Sequence, residues 1–230
     1  MASPGTESLA ERYARLSREG SELRGVDIAL RALDLLISAV VLVVALPVLA
    51  LVTIVFLATS GTPLFYRGLR VGRHGRIFQM FKFRTLRKDA ESRLGPYYGE
   101  ELSIRTAAEV TRLGRWLRAS QLDEMPQLWN VLRGDMSIVG PRPIRPTFFE
   151  ELAREIPQYW QRLVVRPGLT GLAQTRMGRE EAWAEKLAHD LEYIADRSVS
   201  LYLRVVVATA WRVIKQSATA VWGLVRGARH

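Results

Sequence analysis

Cysteine is absent from this chain of 230 residues, which excludes disulfide bonds and thiolate metal sites. Histidine is scarce: the chain has only His74, His189 and His230, and no spacing places two of them on one metal ion. Charged side chains are missing from residues 35–66, although arginine is frequent on both sides of that stretch. A long apolar stretch between basic flanks is typical of a segment that enters a lipid bilayer.

Acidic residues are outnumbered by basic ones, and the formal net charge of +10 predicts an anionic partner. Nucleic acid, an anionic membrane surface and a phosphorylated substrate all satisfy that charge. A nucleic-acid binder would leave the charge-free residues 35–66 unexplained. We therefore expect membrane lipids and a phosphorylated substrate as partners, and no nucleic acid.

The apolar run from Leu35 to Leu57 is long enough for one membrane helix, which needs roughly 20 residues. Pro47, near its middle, removes an intrahelical hydrogen bond and predicts a kink. Because both flanks are basic, the charge bias gives no crossing direction. Two courses stay open: a straight span, or a re-entrant helix that bends at Pro47 and returns, with Asp34, Ser38 or Thr53 contacting the freed carbonyls.

Two β-prone runs, residues 64–71 and 76–83, are separated by a glycine-containing turn and predict a small β-hairpin. Lys82 and Arg84 lie two residues apart near the end of the second run. A strand points such side chains to one face, where they could hold a diphosphate. The alternative for basic residues on a strand is a solvated edge that prevents aggregation.

The most informative segment reads SQLDEMPQLWNVLRGDMSIVGPRP. Ser120 followed three residues later by Asp123 fits a capping box, and Gly134 fits a C-terminal cap. These signals predict a helix from Gln121 to Arg133, with Pro126 disturbing its early turns. Capping alone would explain Asp123 without any catalytic role.

Two acidic residues and one arginine in this segment suit phosphate chemistry. Asp123 and Glu124 would lie in the first helical turn, where free N–H groups and the helix dipole keep a carboxylate ionised. Such a carboxylate can attack phosphorus or bind Mg²⁺ that carries a diphosphate. Pro141 and Pro143 stiffen the backbone around Arg142 and hold its guanidinium ready for phosphate. A stiff surface loop is the alternative.

The same segment closely resembles the signature of the bacterial sugar transferase family, the monotopic phosphoglycosyl transferases. The similarity extends to FKFRT at 81–85, to VRPGLTGLAQ at 165–174 and to LRALDLL before the apolar run, covering nearly everything from Leu30 to about Ile214. The resemblance implies an α+β, mainly helical fold with a re-entrant membrane helix broken at Pro47. It also implies a catalytic domain on the cytoplasmic face of the bacterial inner membrane.

The resemblance further implies a two-step reaction. Asp123 attacks the β-phosphorus of a UDP-sugar, expels UMP and becomes a phosphosugar ester, and polyprenyl (undecaprenyl) phosphate then takes the phosphosugar to give polyprenyl-diphosphate-sugar. This is the first membrane step of bacterial polysaccharide biosynthesis. Glu124 would act as metal ligand or general base, with Mg²⁺ bound by both carboxylates. The phosphate or nucleotide contacts carried over from the family are Lys82, Arg142, Arg166 and Gln174, with Asp190 as a weaker candidate.

One stretch departs from the family pattern. Similar members commonly have tryptophan in place of Leu172 and an Asn-Gly-Arg-Asn run shortly afterwards, whereas this chain reads LAQTRMGRE. Arg176 and Arg179 bracket the position of the family's arginine, so both are candidate phosphate contacts, and the donor sugar stays open. The alternative is a structural arginine pair bound to Glu180 or Glu181.

Two later segments are predicted to be amphipathic helices. Residues 147–163 are rich in aromatic side chains, which suit either a protein core or the lipid headgroup boundary. Residues 198–230 are largely apolar with one basic stripe bordered by Trp211 and Trp222, a pattern that favours a helix lying in the membrane interface over packing against the catalytic domain. The basic stripe consists of Arg197, Arg204, Arg212, Lys215 and Arg226.

The predicted organisation has four parts: an amphipathic lead-in (1–27), the re-entrant membrane helix (28–60), the catalytic domain (61–197) and the interfacial helix (198–230). The alternative function is a non-catalytic basic scaffold of a polysaccharide assembly complex, for which Asp123 and Glu124 would be dispensable. The sequence leaves open which sugar is transferred, which pathway is served and whether two chains form a homodimer.

Overall fold

The computed structural model of this protein describes residues 24–90, 99–178 and 182–227. Most of the predicted lead-in, residues 1–27, lies outside them. The fold is mainly helical with short strands, as predicted. In chain order the elements are α1 (Gly25–Ser60), β1 (Phe65–Val71), β2 (Ile77–Phe83), α2 (Gly99–Glu109), α3 (Arg112–Ala119), α4 (Gln127–Arg133), β3 (Ser137–Val139), α5 (Pro146–Glu155), β4 (Gly168–Thr170), α6 (Leu172–Arg176), α7 (Trp183–Asp196) and α8 (Val199–Gly227).

The described chain divides into two compact units. The first contains residues 24–41, 68–80, 127–178 and 182–209, and the second contains residues 42–67, 81–90, 99–126 and 210–227. Helix α1, the hairpin and helix α8 each supply residues to both units. Each unit has its own apolar core. Helix α1 and the hairpin contribute different residues to the two cores, for example Leu30 and Met80 in the first unit and Phe56 and Phe83 in the second.

Helix α1 confirms the predicted long apolar helix. Its 36 residues correspond to about 54 Å at 1.5 Å per residue, and it is long and apolar enough to cross a membrane. Large side chains such as Val43, Val44 and Ile54 are exposed, as expected where lipid and not protein covers the surface. Pro47 lies inside this helix, which is continuous from Gly25 to Ser60, and the predicted bend at the proline stays a prediction. The re-entrant course stays a prediction.

The first turns of α1 carry a polar face that packs within the first unit. Asp34 is buried, and its Oδ1 accepts hydrogen bonds from Ser137 Oγ at 2.9 Å, from the Ile138 N–H at 2.8 Å and from Tyr202 Oη at 2.9 Å. Asp34 therefore joins α1 to β3 and α8, and its described bonds do not go to carbonyls freed at Pro47. Ser38 Oγ is buried with no hydrogen-bond partner among the described residues.

The β-hairpin is confirmed. Strands β1 and β2 form a two-stranded sheet joined by a turn at Arg73–Gly75, in which His74 takes a left-handed conformation with φ of 57°. A second strand pair, between β3 and β4, is parallel and was not predicted. The backbones at Gly140 and Gly168 approach each other closely beside this strand pair. A Cβ on Gly168 would lie 2.1 Å from the backbone N of Gly140, so this approach requires glycine at position 168.

The predicted helix from Gln121 to Arg133 is wrong in its first half. Helix α3 ends at Ala119, Gln121 is left-handed with φ of 57°, a 3₁₀ turn follows at Leu122–Glu124, and α4 begins only at Gln127. Ser120 is no N-cap, because its hydroxyl donates backward to the carbonyl of Trp116 at 2.9 Å. The predicted C-terminal cap is consistent with the structure, since Gly134 follows α4 with φ of 89°.

The aromatic residues of segment 147–163 pack in a protein core. Phe149, Tyr159 and Trp160 are buried together, with the Phe149 and Trp160 rings edge to face at 4.9 Å. The reading in which these rings sit at the lipid headgroup boundary is therefore wrong for the buried three. The segment forms α5 and a 3₁₀ helix at Pro157–Val164, whose apolar sides face each other.

The predicted C-terminal helix is present as α8. Tyr202 and Val205 are buried, whereas Trp211 is 70% exposed. Arg204 and Lys215 are also exposed, in keeping with part of the predicted basic stripe. The side chains of Trp222 and Arg226 lie outside the described part of the chain, and the membrane-interface location of α8 stays a prediction.

Candidate active site

The acidic pair lies in a tight turn of the second unit. After the left-handed Gln121, the 3₁₀ turn Leu122–Glu124 carries Asp123 inward, where it is only 8% exposed, and leaves Glu124 partly exposed. Left-handed residues outside glycine are uncommon and often occur where a chain must place a side chain for function. The turn therefore presents two adjacent carboxylates in different environments.

Lys82 reaches this pair from the end of strand β2. Its Nζ lies 2.5 Å from Glu124 Oε1, and the two side chains are 20% and 26% exposed. The contact joins opposite charges at partial burial, so Lys82 offsets the charge of Glu124. Of the sequence-predicted residues, Lys82, Asp123 and Glu124 are thus brought together in one site.

Burial raises the pKa of Asp123 to about 6, and the neighbouring charge of Glu124 adds to the increase. The cations of Lys82 and Arg118 act in the opposite direction. The sequence predicts a carboxylate held ionised at the N-terminus of a long helix, whereas the structure has only the 3₁₀ turn Leu122–Glu124 here, and burial raises the pKa of Asp123. At pH 7 a carboxyl group with a pKa of about 6 is still about 90% ionised.

Arg118 was missed as a site residue. It lies on the last turn of α3, and its Nε donates a hydrogen bond to Thr85 Oγ1 at 2.8 Å. Its charge lowers the pKa of Asp123, so it lies near enough to act on the carboxylate. The signal in the sequence was a basic residue on the helix directly before the acidic pair.

Close backbone packing holds α3 against the chain that leaves β2. The N–H of Thr111 donates to the carbonyl of Thr85 at 3.0 Å, and Thr111 Oγ1 caps α3 by accepting from the N–H of Gly114. A Cβ on Gly114 would lie 2.1 Å from the Thr85 carbonyl oxygen, so only glycine allows this approach. The packing of α3 against Thr85 therefore fixes the helix that carries Arg118 next to the chain segment that carries Lys82.

Arg84 does not join this site, so the predicted diphosphate clamp of Lys82 and Arg84 is wrong. Strand β2 ends at Phe83, and Arg84 is 9% exposed with its guanidinium over the Phe56 ring at 5.2 Å. Its nitrogens donate to four backbone carbonyls at distances from 2.7 to 3.2 Å. These acceptors are Ser60, Gly61, Pro63 and Leu86. Arg84 therefore donates to three carbonyls at and just after the end of α1 and to one that follows β2.

The first unit contains the predicted loop around Arg142, which follows β3. The side chain of Arg142 is exposed, and its guanidinium has no hydrogen bond or ion pair within the described part of the chain. Arg166 is half-buried, with Nε donating to the carbonyl of Gly134 at 2.8 Å, and so caps the end of α4. Gln174 is half-buried on α6. Of these three predicted contacts, Arg142 presents the most accessible cation.

Arg176 is engaged elsewhere, because its Nη1 contacts both carboxylate oxygens of Glu192, at 2.8 and 2.6 Å. This partner differs from the predicted alternatives, Glu180 and Glu181. Those two glutamates and Arg179 lie outside the described residues.

Asp190, the weaker acidic candidate, is buried against Arg162. Its Oδ2 accepts a hydrogen bond from Arg162 Nη2 at 2.8 Å, and the two side chains are 6% and 4% exposed. Burial raises the pKa of Asp190 while the arginine lowers it. A carboxylate enclosed in this way is not placed to touch a substrate.

A Mg²⁺ ion suits the donor set at the acidic pair only in part. No cluster of three acidic, histidine or cysteine side chains occurs within residues 24–90, 99–178 and 182–227. Magnesium is commonly held by one or two carboxylates together with substrate phosphates, so the pair fits that type of site and would need a ligand from the substrate.

Comparisons with known proteins bear on this geometry. The family described as bacterial sugar transferase matches residues 26–216. The chain belongs to the bacterial sugar transferase family. The match covers α1 through most of α8, so the acidic turn, the Arg142 loop and the long apolar helix are all parts of the family domain.

Named relatives carry related descriptions. The chain is 40% identical over 170 residues to a UDP-glucose:undecaprenyl-phosphate glucose-1-phosphate transferase of Caulobacter vibrioides, covering 71% of this chain and 61% of the relative. It is 38% identical over 177 residues to a protein of the same description from Xanthomonas campestris pv. campestris, covering 74% and 35%. It is 37% identical over 163 residues to a UDP-N-acetylgalactosamine-undecaprenyl-phosphate N-acetylgalactosaminephosphotransferase of Aeromonas hydrophila, covering 70% and 37%. The chain therefore spans about a third to three fifths of the length of these relatives.

Proposed function

We propose that this sugar transferase moves a phosphosugar from a UDP-sugar to polyprenyl phosphate, releasing UMP and forming polyprenyl-diphosphate-sugar. The observation that carries the proposal is the buried Asp123, whose pKa is raised to about 6, beside a lysine-bound glutamate. The family membership and the descriptions of the relatives support the same reaction class.

In the first step a carboxylate oxygen of Asp123 attacks the β-phosphorus of the donor. The bond between this phosphorus and the bridging oxygen breaks, and UMP leaves with the bond's electron pair. A carboxylate with a pKa of about 6 is more basic than an ordinary aspartate, yet it is largely ionised at pH 7. Partial burial thus strengthens the nucleophile without keeping it protonated.

In the second step a phosphate oxygen of the polyprenyl phosphate attacks the phosphorus of the aspartyl ester. The bond from this phosphorus to the Asp123 oxygen breaks, which restores the carboxylate. A phosphate monoester has its second pKa near 6, so the acceptor is largely a dianion at neutral pH. Glu124 is placed to take any remaining proton from it, as a general base beside the nucleophile.

The surrounding cations lower the electrostatic cost of bringing an anionic donor to two carboxylates. Lys82 offsets the charge of Glu124, and Arg118 offsets that of Asp123. Arg142 is assigned to the donor diphosphate because its guanidinium is exposed on a stiff loop. Glu124 and Asp123 would hold Mg²⁺ together with the donor. The ion would neutralise charge on the diphosphate and on departing UMP.

The same proposal places the enzyme at the bacterial inner membrane with its site on the cytoplasmic face. The exposed apolar surface of α1 supports insertion into lipid, and the exposed Trp211 with Lys215 supports an interfacial position for α8. A re-entrant α1 would leave both basic flanks on the side where nucleotide sugars are available.

The test is UMP release by detergent-purified protein supplied with a panel of UDP-sugars, Mg²⁺ and polyprenyl phosphate. Wild type is expected to release UMP from at least one donor, and Asp123→Asn to release none above background. Without the acceptor, wild type should yield UMP stoichiometric with enzyme and a mass increase of one phosphosugar on the peptide containing Asp123. Absence of UMP with every donor, from protein shown to be folded, would contradict the proposed reaction.

A further inference from the structure

The loop that carries Arg142 is fixed along its whole length in the first unit. Three backbone hydrogen bonds, at distances of 2.8 to 2.9 Å, tie its ends to neighbouring segments. They run from the Gly140 N–H to the Thr170 carbonyl, from the Gly168 N–H to the Pro141 carbonyl, and from the Val71 N–H to the Ile144 carbonyl. A fourth hydrogen bond to the loop, at the Arg142 carbonyl, comes from a side chain.

That side chain is Arg162, whose Nη2 donates to the Arg142 carbonyl at 2.9 Å. The same nitrogen donates to Asp190 Oδ2 at 2.8 Å, and Nη1 donates to Tyr159 Oη at 2.7 Å. The guanidinium also lies over the Tyr159 ring, 4.8 Å from its centre. Because a guanidinium is a rigid plane, these partners together leave Arg162 one orientation.

A buried ion pair of this kind is a poor source of stability. Removing two charges from water costs several kcal/mol per ion, and apolar side chains of similar size often replace such pairs without loss of stability. The core around Arg162 and Asp190 is otherwise apolar, with Phe149, Leu163 and Leu187 among its members. What the pair does that apolar residues would not do is donate to Tyr159 Oη and to the Arg142 carbonyl.

We propose that Arg162 and Asp190 form a positioning pair that fixes the Arg142 carbonyl and thereby aims the Arg142 guanidinium at the phosphates of the nucleotide-sugar donor. This inference rests on the proposed function, and it assigns Asp190 a role through Arg162 and Arg142. The described hydrogen bond to the Arg142 carbonyl comes from the buried Arg162, so replacing Arg162 removes that donor. A displacement of a phosphate-binding group by 1 Å can cost on the order of 100-fold in rate.

The principal experiment replaces the pair with apolar residues in the double variant Arg162→Met/Asp190→Leu. We expect this variant to fold with a lower thermal unfolding midpoint, because the buried Tyr159 hydroxyl and the Arg142 carbonyl lose their donor, while kcat/KM of UMP release with the UDP-sugar falls on the order of 100-fold. KM for polyprenyl phosphate should be unchanged. Leu187→Ala is the matched control from the same core: it should lower the unfolding midpoint and leave kcat/KM of the folded protein within about twofold of wild type.

A double-mutant cycle identifies the route of the effect. If the pair acts through Arg142, its replacement should add almost nothing in an Arg142→Ala background, because the group that it aims is then missing. Equal losses in both backgrounds, or a stable double variant with wild-type kcat/KM, would overturn the inference.

Arg162→Lys keeps the experiment decisive if the double variant does not fold. Lysine can pair with Asp190 but cannot hold three partners in one plane. A folded Arg162→Lys protein should lose about tenfold in kcat/KM for the donor, and wild-type kinetics would refute the positioning role. Wild-type protein that releases no UMP from any UDP-sugar would instead refute the proposed function.

Discussion

Arg84 and Arg142 both belong to motifs that predict phosphate binding, and the protein uses them in opposite ways. Arg84 is buried, and its guanidinium donates to four backbone carbonyls, three of them near the end of α1. Arg142 is exposed, its guanidinium has no partner within the described residues, and it is held instead by its own backbone carbonyl. An arginine in a signature motif can therefore support the fold or bind a ligand. The difference is whether the protein forms hydrogen bonds with its guanidinium, as at Arg84, or with its backbone carbonyl, as at Arg142.

The comparison predicts its largest effect on activity at Arg142. Arg142→Ala should lower kcat/KM of UMP release by about 100- to 1,000-fold, the usual loss when one group that stabilises transition-state charge is removed. The unfolding midpoint should hardly change, because the side chain is exposed. Steady-state kinetics with the preferred UDP-sugar and thermal unfolding in detergent measure both quantities.

Arg176→Ala is the matched control for Arg142→Ala. Arg176 is also exposed and cationic, but it is already paired with Glu192. Its loss should change kcat/KM by less than about twofold, since exposed ion pairs contribute little. Comparable losses in the two variants would mean that general surface charge, and not the Arg142 position, binds the donor.

The next effect is expected on stability at Arg84. Arg84→Ala leaves partly buried carbonyls without donors and removes a contact with Phe56, which together should cost about 3 kcal/mol in free energy of unfolding. Kinetics measured below the unfolding midpoint should resemble wild type. Arg67→Ala, an exposed arginine over the Phe81 ring on the same hairpin, is the control and should be nearly neutral. A stable Arg84→Ala protein without activity would contradict this structural role and would mean that Arg84 binds the substrate.

Elements with strong local signals could be predicted from the sequence. The hairpin follows from two β-prone runs around a glycine-containing turn, and the end of α4 follows from Gly134. The sequence also predicts Lys82 and the acidic pair as candidate site residues, and the structure brings Lys82 into contact with Glu124. For the hairpin and the end of α4 the determining residues lie within a few positions of one another, so the physical cause is visible in the local pattern.

The errors arise where distant contacts decide the outcome. Ser120 and Asp123 have the spacing of a capping box, but the Ser120 hydroxyl bonds back to α3 and the chain turns at Gln121. Aromatic residues suit a core as well as a membrane surface, and only tertiary packing buries Tyr159. Arg176 contacts a glutamate 16 residues away, whereas the local sequence pattern predicts a pairing with Glu180 or Glu181.

The smallest predicted effect is a shift in the pH at which the first half-reaction reaches half of its maximal rate. This shift distinguishes Lys82, whose charge acts on the nucleophile, from Arg142, whose charge is assigned to the donor. The first half-reaction needs the Asp123 carboxylate, so its kcat/KM should rise with pH and level off above the Asp123 pKa of about 6. Lys82 lowers this pKa and Glu124 raises it. Lys82→Met should therefore move the acid limb to higher pH, and Glu124→Gln should move it to lower pH.

Single-turnover UMP release between pH 4.5 and 8 measures these limbs even when the variants are slow, since the midpoint does not depend on the size of the plateau. Shifts of less than about one unit are expected, because both side chains are partly exposed and solvent screens their charges. Arg142→Ala should reduce the plateau and leave the midpoint in place, as its charge is assigned to the donor. Limbs that move together in the Lys82 and Glu124 variants would show that the titrating group is not Asp123.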